Sequence, residues 1–244
     1  MTIAVHITVP GKQNGFNIDF SYNCFKLLAK RFPKNHFIFI FDEPFAPSVI
    51  TEKNITPVLA GPQVKNRLLQ YYFYNFKIPR LLEKYNVDYF VSTEVCSLRT
   101  NIPQCLIIED LSFLQKHNIL KGADARYLKR YTKFFVKRST CIVVLNPALK
   151  TTLLKTFPLA DDKIHVLNCG VDRTSTPGYK NAGAVRNKYT EGKEYFLFFL
   201  SPSTVSNTIT MLKAFSLFKK WQKSNMQLVV VFTAKEKNTV KDLS

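Results

Sequence analysis

Glu109 and Asp110 close an apolar run, QCLIIED (104–110). Ionised carboxylates accept hydrogen bonds from hydroxyl groups but donate none. Adjacent residues on a strand point to opposite faces, so these two do not read as an acid/base pair facing one substrate. They read either as acceptors for a polyhydroxylated ligand or as a solvated strand end. Gly11 and Gly15 lie in the connection VPGKQNGF (9–16), between a strand-like and a helix-like stretch. Their spacing is not the G-x-G-x-x-G of a dinucleotide fingerprint. The amides of a helix start can still hold an anion there, and a plain strand–helix turn is the alternative.

A second connection of this kind, FLSPSTVSN (199–207), offers Ser201, Ser206 and Asn207 and contains no glycine, lysine or arginine. Phosphates dock where a parallel strand turns into a helix, and this turn has only neutral groups for them. Between 115 and 138 the balance reverses, with eight basic residues against one acid, Asp124. Leu128, Tyr131 and Phe135 form an apolar stripe at helical spacing, which puts Arg126, Lys129, Arg130, Lys133 and Lys137 on the other side. That side is either a solvated helix face or a patch for anionic lipid or an acidic acceptor.

The whole chain is basic, with 35 Lys and Arg against 17 Asp and Glu, a formal charge of +18 over 244 residues. The excess is spread along its length, so it is not a basic tail on a neutral body. Such a field attracts polyanions without choosing among them. No stacking-platform, helix-turn-helix or zinc-knuckle signature appears, so nucleic acid is not an expected partner. The five cysteines (24, 96, 105, 141 and 169) have wide spacings and no C-x-x-C, as expected of reduced, mostly buried thiols. The four histidines are dispersed, and no metal spacing is visible. The N-terminus lacks the basic and long apolar regions of a secretion signal, and no apolar run approaches the ~20 residues of a membrane span. A cytoplasmic location is expected, peripheral at the inner face of the membrane if a membrane is touched at all.

Positioning these groups requires alternating strands and helices. TIAVHITV (2–9), HFIFIF (36–41), NITPVLA (54–60), VDYFVS (87–92), 104–110, CIVVL (141–145) and KIHVL (163–167) read as strands. Helices are expected at 15–32, with Phe16, Phe20, Cys24, Leu27, Leu28 and Phe32 on its inner face, and over 62–85, with Leu68, Leu69, Tyr72, Phe73 and Phe76 inward and an interruption at Pro79. Two more are expected at 124–138 and 147–156. The alternation argues for an α/β fold, a Rossmann-like parallel sheet with helices on both faces. Residues 1–172 form one domain in this reading, 173–194 a polar linker, and 195–244 an incomplete second Rossmann-like unit of strand (195–200), helix (207–222) and strand (227–232). Such a unit leaves apolar sheet edges open, as in a fragment of a longer protein or a surface that docks on something else.

The order of these pieces resembles the GT-B glycosyltransferases, specifically the large retaining group called family four. The resemblance rests on a collinear series: KIPRLLEKYNVDYFVST (77–93), SLRTNIPQCLIIEDLSFL (97–114), RYLKRYTKFFVKRSTCIVVLN (126–146), DKIHVLNCGVD (162–172) and YFLFFLSPSTVSNTITMLKAFSLFKK (195–220). It implies an acceptor-side domain and a donor-side domain, both Rossmann-like. It also implies transfer of a hexose, with retained configuration, from a nucleotide sugar to a glycan or lipid-linked acceptor. The nucleotide sugar is then a co-substrate and no metal or other cofactor is expected. Polysaccharide biosynthesis is the implied setting.

Residue by residue, the resemblance is uneven. The family has a glycine-containing loop where Gly11 and Gly15 stand. It has His-Asp where this chain has Glu109 and Asp110, so only Asp110 fits. The turn at 143–150 keeps Lys150 but has Asn146, Pro147 and Leu149 in place of the family's polar groups. In the donor turn, Leu200 stands for the family's glycine, Val205 for its arginine and Ser206 for its lysine, leaving Asn207. Two expectations follow: a hexosyltransferase whose donor turn is degenerate, or a degenerate relative that binds a glycan or a protein partner.

Overall fold

The structure, a computed structural model, describes residues 1–7, 20–45, 50–61, 67–114, 123–159, 161–168, 170, 182–199 and 205–231. The chain divides into two compact units, Met1–Gly170 and Val171–Ser244.

The first unit is built on seven parallel strands: β1 (Thr2–His6), β2 (His36–Phe41), β3 (Ile55–Leu59), β4 (Tyr89–Thr93), β5 (Gln104–Ile108), β6 (Cys141–Val144) and β7 (Ile164–Val166), ordered β3-β2-β1-β4-β5-β6-β7. Strand β2 is apolar at nearly every position because both faces of the sheet are covered. Its even-numbered Ile38 and Ile40 enter one core, with Phe90, Leu106, Ile142 and Leu153. Its odd-numbered Phe37, Phe39 and Phe41 enter the other, with Val5, Ile7, Ala29 and Val91. Each buried phenylalanine contributes roughly 1.5–3 kcal/mol of apolar transfer.

Five helices connect the strands: α1 (Phe20–Arg31), α2 (Arg67–Tyr72), α3 (Ile78–Lys84), α4 (Ala123–Arg138) and α5 (Pro147–Thr156). Helix α1 ends in Lys30 and Arg31, which suit the negative end of its dipole. The Asn54 side-chain amide donates to the carbonyl of Ala29 at 3.0 Å, an acceptor the helix end leaves open, and to that of Asn35 in the following turn at 2.9 Å. The inward face of α1 differs from the sequence expectation. Tyr22, Phe25, Leu28 and Ala29 pack on the core, while Leu27 and Phe32 are 67% and 46% exposed. A stripe assigned by hydrophobicity alone was rotated by about one residue. Phe16 lies outside the described residues.

The helical stretch expected over 62–85, with its interruption at Pro79, is three pieces where it is described, from Arg67 to Lys84. Between α2 and α3 the chain takes a π-helical turn, Phe73–Lys77, and the Ile78 amide donates to the Phe73 carbonyl five residues back. Pro79, in the first turn of α3, has no N–H to continue the ordinary ladder. The widened turn lets Phe73, Tyr74 and Asn75, three consecutive residues, all be buried. Leu68 consequently faces out, 83% exposed.

The second unit contains α6 (Ala182–Thr190), β8 (Tyr195–Phe199), α7 (Val205–Gln222) and β9 (Gln227–Val231), with β8 and β9 parallel. The stretch read as a linker is therefore partly helical. Thr190 fixes the end of α6 as a donor, its hydroxyl shared between the carbonyls of Arg186 and Lys193, at 2.8 and 2.7 Å. Phe196 meets Phe218 edge-on at 5.3 Å. An apolar groove of about 330 Å³ runs between β8 and α7, lined by Phe196, Phe198, Met211, Phe215, Phe218 and Leu228 among others.

Candidate substrate site at the carboxyl edge of the sheet

Strand order reverses direction between β1 and β4. In open parallel sheets ligands bind outside the carboxyl ends of the strands at such a reversal. The groups found there come from the ends of β1, β2, β4 and β5. They are His6, Asp42, Thr93, Glu94, Glu109 and Asp110, with Tyr74 supplied by the π-helical turn.

Glu94 organises this edge. It follows β4 with a left-handed backbone, φ 63°, an uncommon conformation for a residue with a side chain. Its own amide donates to the Ile107 carbonyl at 2.9 Å. Its Oε1 accepts from the amides of Glu109 and Asp110, at 2.9 and 3.2 Å. Burial pushes the carboxyl up to about 7; the two amide hydrogen bonds oppose that shift, and the charges of Glu109 and Asp110 add to it. The loop behind it is fixed by Gln104, whose amide oxygen accepts from Ser97 N at 2.9 Å and whose nitrogen donates to Ser97 O at 2.8 Å.

With its amide held, Glu109 is half-buried and Asp110 is exposed. Burial raises the Glu109 carboxyl above its ordinary value. The two side chains extend from a fixed backbone at the end of β5, a geometry suited to accepting hydroxyl groups rather than to shuttling a proton between them.

His6 ends β1. Its Nδ1 lies 2.9 Å from the Tyr74 hydroxyl, and its Nε2 lies 3.9 Å from Asp42 Oδ1. The ring packs on Phe73 and Tyr74 at 5.3 and 5.5 Å. Burial lowers its pKa, against the pull of Asp42, so the ring is neutral at pH 7. A proton on Nε2, facing the carboxylate, leaves Nδ1 to accept from the tyrosine O–H. Desolvation, then Asp42 and more weakly Glu94, push the Tyr74 phenol well above the usual range, keeping it a donor. Ser21, in the first turn of α1, touches Thr93 at 3.1 Å between hydroxyl oxygens.

At the end of β6, Asn146 caps α5, its Oδ1 accepting from Leu149 N at 2.9 Å, with Pro147 at the first helical position. Lys150 pairs with Asp161 at 3.0 Å. In this chain the turn is thus spent on starting the helix. Among the described residues no group of three or more His, Cys, Asp or Glu is placed to hold a metal ion.

A model of the family described as Glycosyltransferase Family 4 matches residues 24–175, more than half of the chain and nearly the whole described sheet. The chain belongs to Glycosyltransferase Family 4. Solved structures with the same fold include WaaG, a glycosyltransferase involved in lipopolysaccharide biosynthesis (TM-score 0.63, 14% identity, covering 99% of this chain and 66% of that one). A glycosyltransferase from Rickettsia africae ESF-5 matches with TM-score 0.61, 15% identity and coverage of 99% and 63%. The UDP-GlcNAc 2-epimerase of Neisseria meningitidis, solved bound to UDP-GlcNAc, matches with TM-score 0.60, 12% identity and coverage of 100% and 69%. At these identities the likeness shows the GT-B fold and no more, since an epimerase shares it. The chain spans about two thirds of the length of these proteins. No curated protein matches the chain in sequence.

Of the residues singled out in the sequence, Glu109 and Asp110 stand at this edge of the family's sheet. Gly11, Gly15 and Ser201 lie outside the described residues. Ser206 and Asn207 fall in the first turn of α7, where only the backbone is described. Arg126, Lys129, Arg130, Lys133 and Lys137 are all exposed on α4, while Leu128 and Phe135 are buried. His6, Asp42, Tyr74 and Glu94 were not anticipated. The available signal was positional, since three of the four are titratable residues at or directly after the end of a strand. No helix among the described residues is long and apolar enough to cross a membrane.

Proposed function

We propose that this chain acts as a retaining hexosyltransferase in polysaccharide or glycolipid synthesis, with its first unit on the acceptor side and its second on the donor side. An acceptor hydroxyl attacks the anomeric carbon of a nucleotide sugar, the bond from that carbon to the diphosphate breaks, and the nucleoside diphosphate leaves. The nucleotide sugar is a co-substrate, and no resident metal forms part of the proposal. Glu109 and Asp110 are assigned to sugar hydroxyls, and Gly11 and Gly15 to the same substrate. The observation carrying this reading is the pinning of Glu109 and Asp110 by Glu94 at the carboxyl edge of a sheet that the family model covers. The epimerase bound to UDP-GlcNAc makes uridine diphosphate sugars the first donors to try. The chain is proposed to work in the cytoplasm, against the inner membrane face through α4.

A panel of uridine, guanosine and adenosine diphosphate sugars, tested by calorimetry and by label transfer to lipid-linked acceptors, decides the matter. Binding of one donor with transfer and an unchanged anomeric configuration is expected. Absence of both binding and transfer across the panel overturns the enzyme reading.

One observation favours a second reading. Val205 and Ser206 stand where the family carries the basic pair that holds a diphosphate, and Glu109 where it carries histidine. On that reading the chain binds glycan or a protein partner without turnover. Glycan binding that survives in the absence of any nucleotide sugar is its signature.

A further inference from the structure

Away from the carboxyl edge, at the opposite end of the same sheet, Cys105 and Cys141 are direct neighbours on β5 and β6. Their side chains emerge on the same face, because residues in register on parallel strands point the same way. Adjacent strands lie about 4.8 Å apart, within the Cα separation at which disulfides form. Both cysteines are free thiols in this structure.

The two thiols differ in environment. Cys105 is buried, and Cys141 is half-exposed. Strand β6 alternates, with Ile142 and Val144 buried and Cys141 and Val143 half-open. The groups facing the pair are Tyr89 from β4, Lys163 from the 3₁₀ turn before β7, and His165 from β7. The neighbouring Cys105 thiol, aided by His165 and Lys163, draws the Cys141 thiol below its ordinary range, while the Cys141 sulfur and burial raise Cys105 above its own. Burial raises Cys24, which is equally half-exposed. An accessible thiolate beside a buried thiol is the arrangement in which one sulfur meets an oxidant and the other resolves it.

We propose that Cys105 and Cys141 form an oxidant-sensitive dithiol that hydrogen peroxide closes to an intramolecular disulfide across β5 and β6. The Cys141 thiolate attacks the peroxide, the O–O bond breaks, and a sulfenic acid forms as hydroxide leaves. The Cys105 sulfur then attacks the Cys141 sulfur, the S–O bond breaks, and water leaves with the thiol proton. Two thiols are oxidised by two electrons, and one peroxide is reduced to two waters. Closing the bridge ties the start of β5 to β6, on the strand whose far end carries Glu109 and Asp110.

The test treats the full chain with stoichiometric hydrogen peroxide and maps the peptides without reduction. The expected product has lost two hydrogens and contains one cross-linked pair, Cys105 with Cys141. In Cys105→Ser, a dimedone adduct should accumulate at Cys141, whereas Cys24→Ser should oxidise as the parent does. A second measurement keeps the idea open to refutation if Cys105→Ser folds poorly: iodoacetamide at pH 7 should alkylate Cys141 in the unaltered chain on the order of tenfold faster than Cys24. Cross-links scattered over Cys24 and Cys96, or equal alkylation of Cys141 and Cys24, overturn the proposal.

Discussion

Glu94 Oε1 stands 2.9 Å from the amide nitrogen of Glu109. The residue that follows β4 thereby holds the backbone of the residues that end β5, and a carboxylate is used as a structural acceptor in a place where burial disfavours its charge. Glu94 is ordinarily half ionised at pH 4.5 and is raised to about 7 here. Between those values the folded chain keeps a proton that the unfolded chain has released, so the contribution of Glu94 to stability is complete below pH 4.5 and is lost as pH rises to about 7. Glu94→Gln keeps an acceptor oxygen and removes the charge. Above pH 7 it should be more stable than the parent by about 1–2 kcal/mol, allowing for solvent around a half-buried group. Urea melts across this range should show Glu94→Gln gaining on the parent as pH rises; parallel profiles would refute the assignment. Glu94→Ala, which abandons two amides, should lose about 1–3 kcal/mol.

A second contribution runs in the opposite direction. His6 is lowered from 6.5 by burial, so the folded chain resists a proton that the unfolded chain accepts. Its contribution is complete above pH 6.5 and is lost as pH falls through the lower folded value. Tyr74→Phe takes the donor from Nδ1 and leaves a buried acceptor unserved. A loss of about 1–2 kcal/mol is expected, with Tm lower by roughly 2–8 °C. His6→Asn should flatten the acid limb of the stability profile while leaving the neutral limb set by Glu94. If acid unfolding is unaltered in His6→Asn, the histidine is not the group responsible.

The sheet was legible because its signal is redundant. HFIFIF can hardly be anything but a strand covered on both faces, and HFIFIF, CIVVL and the helix from Pro147 fall where the pattern puts them. The face of α1 was less legible, since Leu27 and Leu28 are equally apolar and only packing decides that Leu28 turns inward. The π-helical turn before Pro79 has no periodic signature, because a single extra residue in the ladder leaves composition unchanged. At the site, Glu109 and Asp110 announce themselves by following an apolar strand. Glu94 does not, because its role depends on a left-handed backbone and on β4 lying beside β5, and neither is written in the local sequence.

Substitutions at Glu109 and Asp110 should separate binding from folding. Both side chains lie at the rim of the sheet, and Asp110 is exposed, so Glu109→Ala and Asp110→Ala should each change stability by no more than about 0.5 kcal/mol. Either should weaken sugar binding by about tenfold, equivalent to about 1.4 kcal/mol. Glu109→His, the residue that the resemblance sets at this position, should tighten donor binding. Unchanged titration curves for all three variants would remove this edge from the site.

Helix α4 offers a test of membrane contact. Lys129, Arg130, Lys133 and Lys137 are exposed, and Phe134 among them is 45% exposed, which supplies both charge and an apolar anchor. At an anionic surface each basic residue contributes about 1 kcal/mol, so changing all four to glutamine should weaken binding to phosphatidylglycerol vesicles by roughly a thousandfold. Sedimentation with such vesicles should fall away in the variant and, for the parent, in high salt. Equal sedimentation of parent and variant, or equal binding to phosphatidylcholine, would mean the face is only solvated.

The degenerate donor turn is tested by restoring it. Helix α7 begins at Val205, and residues 205 and 206 are the pair that the resemblance sets against an arginine and a lysine before Asn207. Two negative phosphoryl groups need positive or N–H partners, and this stretch supplies the amides of a helix start without the charges. Val205→Arg with Ser206→Lys adds the possibility of two charge-assisted hydrogen bonds, each worth roughly 1.5–3 kcal/mol. If the turn still has the shape of a diphosphate site, the double variant should bind uridine diphosphate at least roughly tenfold more tightly, with a steeper salt dependence. Turnover should rise with it if the parent is a weakened enzyme, and should stay absent if the parent is a binding module. A double variant that folds normally and binds no better than the parent shows that the turn has lost its shape as well as its charge.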